Sequence, residues 1–219
     1  MIRELIVAVV IALPNDLASP ASAQSAAIDV NISAMEPGRP PLGFDFWRTG
    51  KGKPGEWVVV KDSSAANGQA IAQTSMDQTD YRFPLAVYEP MPSMKNVDAT
   101  VHCKPVSGSV DQACGVAVRV TTPDDYYVAR ANALEDDVRF YRVVKGRREQ
   151  IARANAKVAK NDWHTLALRA EGDRFTVSFD GKQLYAATDK TFADPGKVAL
   201  WTKADSVTHF DKITITSLP

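Results

Sequence analysis

Short segments in which apolar and polar residues alternate recur along the chain at intervals of about ten residues from Glu56 onward. Alternation places successive side chains on opposite faces of a strand, and turn residues separate the segments, so the spacing predicts an all-β sandwich or barrel. The predicted strands are Trp57 to Lys61, Ala70 to Ser75, Val97 to Lys104, Gly115 to Val120, Tyr126 to Asn132, Val138 to Val144, Trp163 to Ala170, Arg174 to Phe179, Lys197 to Thr202 and Val207 to Thr216.

Turn residues between these segments predict how some of the strands connect. Asp180 and Gly181 separate two strand-like runs and are typical of a tight hairpin, and residues 171–173 predict a second one. Residues 24–55 contain several prolines and glycines and are predicted to be loop-like. Residues 148–160 are compatible with a helix, but we expect them to continue a strand and then form a loop.

The first 23 residues have the pattern of an export signal. An unbroken run of nine apolar residues, Leu5 to Leu13, follows Arg3, and a small-residue site ends at Ala23. The run is too short to cross a bilayer, which requires about 20 apolar residues, although a retained anchor is the alternative. We therefore expect a periplasmic or secreted protein with no membrane span after cleavage.

The remaining sequence is expected to divide into two parts. Residues 24–42 are expected to be an N-terminal extended segment, and residues 43–219 a single β domain. The chain has 26 basic and 26 acidic side chains, so it lacks the basic excess of a nucleic-acid-binding protein. We expect no nucleic-acid partner, and the sequence does not predict the oligomeric state.

The two cysteines can be aligned by strand parity. If Cys103 is opposite Cys114 in an antiparallel hairpin, every other pair on that face is also apolar: Val101 with Val116, Ala99 with Val118, and Val97 with Val120. Opposed Cα atoms lie about 4.5–5.5 Å apart, within the range that a disulfide tolerates. We therefore predict a Cys103–Cys114 disulfide, the alternative being two free buried thiols.

Charged, amide and aromatic side chains are concentrated between residues 126 and 148. If Arg130 and Asn132 share a face with Arg139 and Tyr141 in a hairpin there, the opposite face is apolar, with Tyr127, Ala129, Ala131, Val138 and Phe140. The length of the turn leaves open a register shifted by one residue. Guanidinium groups and amides bind hydroxyls, while aromatic rings stack on pyranoses, so the polar face suits a sugar. The alternative is a solvated face with ordinary cross-strand ion pairs.

Other charged residues have simpler interpretations. The Cys103 hairpin would place Asp98 opposite Arg119 as an exposed ion pair. His164 shares parity with Leu166, which favours a partly buried imidazole with satisfied hydrogen bonds over a catalytic one. We predict no cofactor, but a structural calcium stays open, with carboxylates drawn from Glu135, Asp136, Asp137, Asp205 and Asp211.

Several motifs, taken in order and spacing, resemble one known family. They are Gly115 to Asn132, Val138 to Arg148, Trp163 to Leu166, Phe179 to Lys182, Gly196 to Trp201 and Phe210 to Ile213. Across residues 43–217 the chain resembles the 3-keto-disaccharide hydrolase domain family of the concanavalin A-like lectin/glucanase group. The resemblance implies a two-sheet antiparallel jelly-roll sandwich whose concave face binds carbohydrate, with Arg119, Arg130, Asn132, Arg139 and Tyr141 as its polar set.

Two functions stay open at this level. One is an exported hydrolase of the 3-keto-disaccharide type, for which no catalytic residue can be assigned. The Glu-x-Asp-x-x-Glu strand of laminarinase-type relatives does not occur in this sequence, which argues against retaining glucanase chemistry. The other is a non-catalytic module of the cell envelope that binds a neutral sugar or a protein.

Overall fold

A computed structural model describes residues 27–219 as two antiparallel β-sheets packed face to face, which confirms the all-β jelly-roll prediction. The seven-stranded sheet has the order β10-β9-β8-β7-β14-β5-β2. In the eight-stranded sheet the order is β13-β12-β11-β6-β15-β4-β3, with β1 beside β15. The strands are β1 Ala27–Asp29, β2 Phe44–Gly50, β3 Trp57–Lys61, β4 Gln69–Gln73, β5 Arg82–Tyr88, β6 Val97–Ser107, β7 Ala113–Thr122, β8 Asp125–Asn132, β9 Asp137–Val144, β10 Arg147–Asn155, β11 His164–Glu171, β12 Arg174–Phe179, β13 Lys182–Thr188, β14 Lys197–Trp201 and β15 Val207–Ser217.

The ten strands predicted from alternation are all present. The loop prediction for residues 24–55 is wrong for β1 and β2, since Ala27–Asp29 pairs with β15 and Phe44–Gly50 pairs with β5. The Asp180-Gly181 hairpin is confirmed, and residues 147–155 form a strand followed by a loop, as expected. The predicted export segment lies outside the described residues. Within residues 27–219 no helix is long and apolar enough to span a membrane.

The core lies between the two sheets. It is formed by inward-facing side chains of both, among them Val101, Val116, Phe140, Leu166 and Phe210, each at most 1% exposed. Alternation along each strand leaves every second side chain for the outer faces. The outer face of the seven-stranded sheet carries both polar groups and a second buried apolar cluster, which includes Phe83, Tyr126 and Trp201.

The disulfide is confirmed, but the hairpin used to predict it is wrong. Cys103 lies on β6 of the eight-stranded sheet and Cys114 on β7 of the seven-stranded sheet, with Cα atoms 6.4 Å apart. Within its own sheet, Cys103 is opposite His164 and Phe210. Strand parity identified two core-facing positions correctly, but core-facing side chains of two stacked sheets also meet each other, and parity does not distinguish the two cases.

The expected ion pair between Asp98 and Arg119 is wrong for the same reason. Asp98 lies opposite Arg169 on β11, and their side chains approach to 3.3 Å. Arg119 lies at an irregularity of β7, where the pairing with β8 shifts between Val118 and Thr122, and its backbone is left-handed, with φ 50°.

Candidate functional site

The outer face of the seven-stranded sheet carries a dense polar cluster on β8, β9 and β10. Arg130 pairs directly with Arg139, and Asn132 with Asp137, so the four polar residues share one face of the hairpin, as expected from the sequence. Residues Tyr127, Ala129, Ala131, Val138 and Phe140 belong to the core on the opposite face. We refer to the outer surface formed by Arg130, Asn132, Arg139, Tyr141 and Arg153 as the arginine face.

Strand β10 contributes the third arginine of this face. Arg153 is opposite Arg139, while Gln150 is opposite Tyr141, because the register shifts between Gln150 and Ala152. A bulge of this kind changes which face the following side chains occupy. Simple alternation from Gln150 would have put Arg153 on the other face, so the sequence pattern could not have revealed it.

A buried carboxylate, Asp137, holds these arginines in place. Its side chain is fully buried and accepts hydrogen bonds from Arg130 Nη1 and Arg139 Nε, each at 2.8 Å. Arg153 Nε lies 2.9 Å from the same carboxylate. Charge-assisted contacts of this type fix the planes of guanidinium groups, so the remaining N–H groups have defined directions.

Glu135 forms the exposed edge of the cluster. Its carboxylate is bonded to Arg130 and lies 3.1 Å from Arg139 Nη2, and its side chain is 41% exposed. Partial burial opposes ionisation, but the two guanidinium groups hold the pKa of Glu135 below its usual range. The carboxylate is therefore an ionised hydrogen-bond acceptor beside arginine donors.

A second pair of charges adjoins the cluster through Asn132. The Asn132 amide donates to Asp111 Oδ1 at 2.6 Å, and Lys203 Nζ lies 2.8 Å from Asp111 Oδ2. Lys203 also contacts Asp80 at 2.6 Å. Burial raises the pKa of Asp111, and the Lys203 ammonium opposes that shift.

Asp205 positions the loop that carries Asp111. Its carboxylate accepts the backbone N–H groups of Ser109, Val110 and Asp111 at 2.7–3.0 Å. Asp211 similarly accepts from Ala66 N at 2.6 Å. Among residues 27–219 no group of three or more histidine, cysteine, aspartate or glutamate side chains is arranged to hold a metal ion.

The aromatic part of the arginine face is covered. Tyr141 is only 4% exposed, and the guanidinium carbon of Arg148 lies 4.5 Å from the centroid of its ring. The same guanidinium lies 4.7 Å from the ring of Phe83 and 6.0 Å from that of Trp201. Because a cation occupies the ring faces, the expected stacking of a sugar on Tyr141 would require Arg148 to move.

Arg119 does not belong to the arginine face. Its guanidinium donates to the carbonyls of Lys95 at 3.0 Å, Phe192 at 2.7 Å and Gly172. It also lies 5.0 Å from the ring of Phe175, a residue of the inter-sheet core. The side chain is 1% exposed, so it clamps three backbone segments together at the end of the sandwich.

His164 has the structural role expected from its parity. Its Nδ1 lies 2.8 Å from Asp180, its Nε2 3.1 Å from the Ala159 carbonyl, and its ring stacks on Phe179.

Sequence reasoning missed Asp111, Arg153 and Lys203 as members of the site. Asp111 and Lys203 lie in loops, where alternation gives no information about side-chain direction.

A sandwich of two antiparallel sheets with a preorganised polar cluster on one outer face defines the chain as a lectin-like jelly-roll protein. The sequence model of the galactocerebrosidase C-terminal lectin domain matches residues 97–218. Since this match covers more than half of the chain, the protein belongs to that family. The match supports the lectin/glucanase-like fold implied by the motifs, rather than the specific 3-keto-disaccharide hydrolase family.

Solved structures share the fold. A carbohydrate-binding module, CBM66 from Bacillus subtilis, aligns with a TM-score of 0.60 at 21% identity over 78% of this chain and 95% of the module. A β-glucanase from Bacillus licheniformis aligns with a TM-score of 0.54 at 14% identity, over 83% and 95%. The exoplasmic domain of VIP36, bound to Ca²⁺ and mannose, aligns at 0.55 and 13% identity, over 80% and 83%. A sequence search of curated proteins found no match.

Proposed function

We propose that the protein is an exported, lectin-like module that binds a neutral saccharide on the arginine face. The observation that carries the proposal is the pair of partly exposed guanidinium groups, on Arg139 and Arg153, held by the fully buried carboxylate of Asp137. Their side chains are 23% and 46% exposed, so ligand hydroxyls can reach them.

The chemistry of this surface matches a sugar hydroxyl, which both donates and accepts a hydrogen bond. Arg139 and Arg153 supply donors, and the ionised Glu135 beside them supplies an acceptor. Because buried partners already hold the side chains, binding would cost little side-chain entropy. The galactocerebrosidase lectin-domain match and the fold shared with a carbohydrate-binding module are consistent with this function.

Hydrolysis of a glycosidic bond, as in the 3-keto-disaccharide hydrolases, is less well supported. Such chemistry commonly needs two carboxyl groups, one of which donates a proton while the other attacks or activates water. In the described chain Glu135 and Asp137 are paired with arginines, and Asp111 is paired with Lys203. None of these three carboxylates is free of a cation, which favours binding without turnover.

Export and the domain boundaries are part of the same proposal. The apolar run and small-residue site in residues 1–23 support cleavage before Gln24. Because β1 pairs with β15 and Ile32 belongs to the core, the single domain would include the N-terminal extended segment as well as residues 43–219. The Cys103–Cys114 disulfide is consistent with an oxidising compartment such as the periplasm or the exterior.

The test is binding of the mature chain to an array of neutral di- and oligosaccharides, followed by calorimetry with the best ligand. We expect R139Q and R153Q to weaken binding by about tenfold or more, because each removes charge-assisted hydrogen bonds. The matched control is R174Q, an exposed arginine on β12 of the other sheet, which should bind normally.

Three results would count against the proposal. They are the absence of affinity for every neutral saccharide, equal losses in R174Q and R139Q, and release of product from 3-keto-disaccharides. The last would favour the hydrolase instead. Thermal unfolding of each variant distinguishes a loss of binding from a loss of folding.

A further inference from the structure

The outer face of the eight-stranded sheet holds a second group of polar side chains, remote from the arginine face. Thr165 on β11 and Lys212 on β15 both lie directly opposite His102 on β6, so the three form a row across neighbouring strands. In the next row Thr100 pairs with Thr214. These five residues line a cavity of about 180 Å³.

Most of the polar atoms in this cavity have no partner among residues 27–219. Thr214 donates its hydroxyl to Asp29 at 2.6 Å. The hydroxyls of Thr100 and Thr165, the ammonium of Lys212 and Nε2 of His102 make no hydrogen bond or ion pair to any residue between 27 and 219. Four groups able to bind a ligand therefore converge on one small cavity.

The imidazole of His102 is held firmly in this position. Its Nδ1 lies 2.6 Å from Asp211, a carboxylate whose side chain is fully buried and which also accepts from Ala66 N. Its ring stacks on Trp163, with centroids 5.0 Å apart and planes 19° apart. The Trp163 indole N–H in turn donates to Ser64 Oγ at 3.0 Å. This arrangement leaves Nε2 as the free nitrogen of an oriented ring.

The free donors of the cavity favour an anionic group. None of its five lining residues is a carboxylate, and the adjoining carboxylates of Asp29 and Asp211 are already bonded to Thr214 and His102. Lys212 has no ion-pair partner within the described chain. Two hydroxyls and an ammonium are donors suited to the oxygens of a sulfate or phosphate ester. His102 Nε2 can accept a hydrogen bond from a hydroxyl of the ligand when the ring is neutral, and it is a further donor when the ring is protonated.

We infer that this cavity is a second ligand site, which binds the sulfate or phosphate ester group of a saccharide. The half-buried indole of Trp163 lies next to His102 and two residues before Thr165, where it can contact the sugar ring that carries the ester. The site does not depend on the arginine face, since the two surfaces belong to different sheets.

The experiment is a titration of the ¹⁵N-labelled mature protein with glucose 6-sulfate, glucose 6-phosphate and glucose, followed by NMR. The indole N–H signal of Trp163, assigned with a Trp163→Phe variant, and the amide of Thr165 report on the cavity. We expect both esters to shift these signals and glucose to bind about tenfold more weakly or not at all. The tighter of the two esters identifies the source of the oxyanion.

Variants distinguish a built site from general attraction to a charged surface. K212Q and T165V should each weaken ester binding by about fivefold to tenfold, whereas K182Q, on β13 of the same sheet, should not. Equal affinity for glucose and its esters, or unchanged binding in K212Q, would overturn the inference. R139Q should leave ester binding unchanged, so failure of the arginine face to bind a neutral sugar would be separately visible.

Discussion

Replacement of Asp137 by asparagine gives the most direct test of how the arginine face is held together. The change keeps the size of the side chain and removes the charge from a fully buried carboxylate that three arginines share. Arg130 matters most, because its side chain is only 3% exposed and cannot recover its hydration. We expect D137N to be strongly destabilising.

The magnitude follows from the exposure of each contact. Removing one partner of a buried ion pair costs about 3–5 kcal/mol, but Arg130 keeps Glu135 as a second partner, which places its share near the lower end. The contact with Arg153, a side chain 46% exposed, contributes well under about 1 kcal/mol. The amide oxygen of asparagine still accepts a weaker hydrogen bond, so the expected total is about 3 kcal/mol.

Urea unfolding at neutral pH, followed by tryptophan fluorescence, measures this loss. With a denaturant dependence of about 2 kcal/mol per molar, the midpoint should fall by about 1.5 M. The matched control is D136N, which changes the neighbouring, exposed carboxylate and keeps a residue that tolerates its left-handed backbone, with φ 48°. The midpoint of D136N should hardly move.

A loss below about 1 kcal/mol in D137N would refute the reasoning, because it would mean that Arg130 remains solvated or compensated without Asp137. A comparable loss in D136N would also refute it, since the effect would then arise from the turn and not from the buried charge. D137N should also weaken saccharide binding if the carboxylate orients Arg139 and Arg153.

Three further predictions concern the rest of the sandwich. Reduction of the Cys103–Cys114 bond, whose cysteines are 11 residues apart, should lower the free energy of unfolding by about 2–3 kcal/mol, and thiol titration before reduction should detect no free thiol. Burial raises the pKa of Asp205, but backbone donors outweigh that effect and hold the pKa below its unfolded value. The stability that this carboxylate gives to the fold is therefore complete above about pH 4 and is lost as the pH falls further. D205N should lower stability at about pH 7 and flatten the acid dependence measured by urea unfolding. The added Cβ of G196A would lie 2.7 Å from Cα of Arg119 and would also overlap its carbonyl carbon, and hydrogen bonds of the Arg119 side chain hold that residue in place. Calorimetry should therefore find a lower melting temperature and a cost of about 1–3 kcal/mol. An unchanged melting temperature would contradict the clamp.

Much of the arginine face could be predicted because its main hairpin is local. In residues 126–144 the two strands are adjacent in sequence, and the observed register buries Tyr127 and Phe140 together while leaving Arg130 and Arg139 on the outer face. A slip by one residue would exchange the two faces, so the hydrophobic pattern indicates which face each side chain occupies. The same pattern correctly indicated that His164 is a buried structural residue.

The alternating pattern does not predict which strands distant in sequence pair with each other. Parity showed correctly that Cys103 and Cys114 both face the core, but it could not distinguish a hairpin from two strands in facing sheets. The error in strand pairing also produced the wrong partner for Asp98 and an incorrect position for Arg119. Alternation reports on which face a side chain occupies and carries no information about the neighbouring strand.

The sequence by itself determined the fold class, the core-facing positions, the disulfide partners and one face of the central hairpin, because these depend on local alternation and short turns. Only the tertiary structure decided that Arg153, Asp111 and Lys203 join this face, since a bulge and two loops direct them there. It also decided that His102 and Lys212, 110 positions apart in the printed numbering, line one cavity. Such groups meet because strands far apart in the chain become neighbours in a sheet, and burial of the core selects that arrangement without reference to the polar residues it brings together.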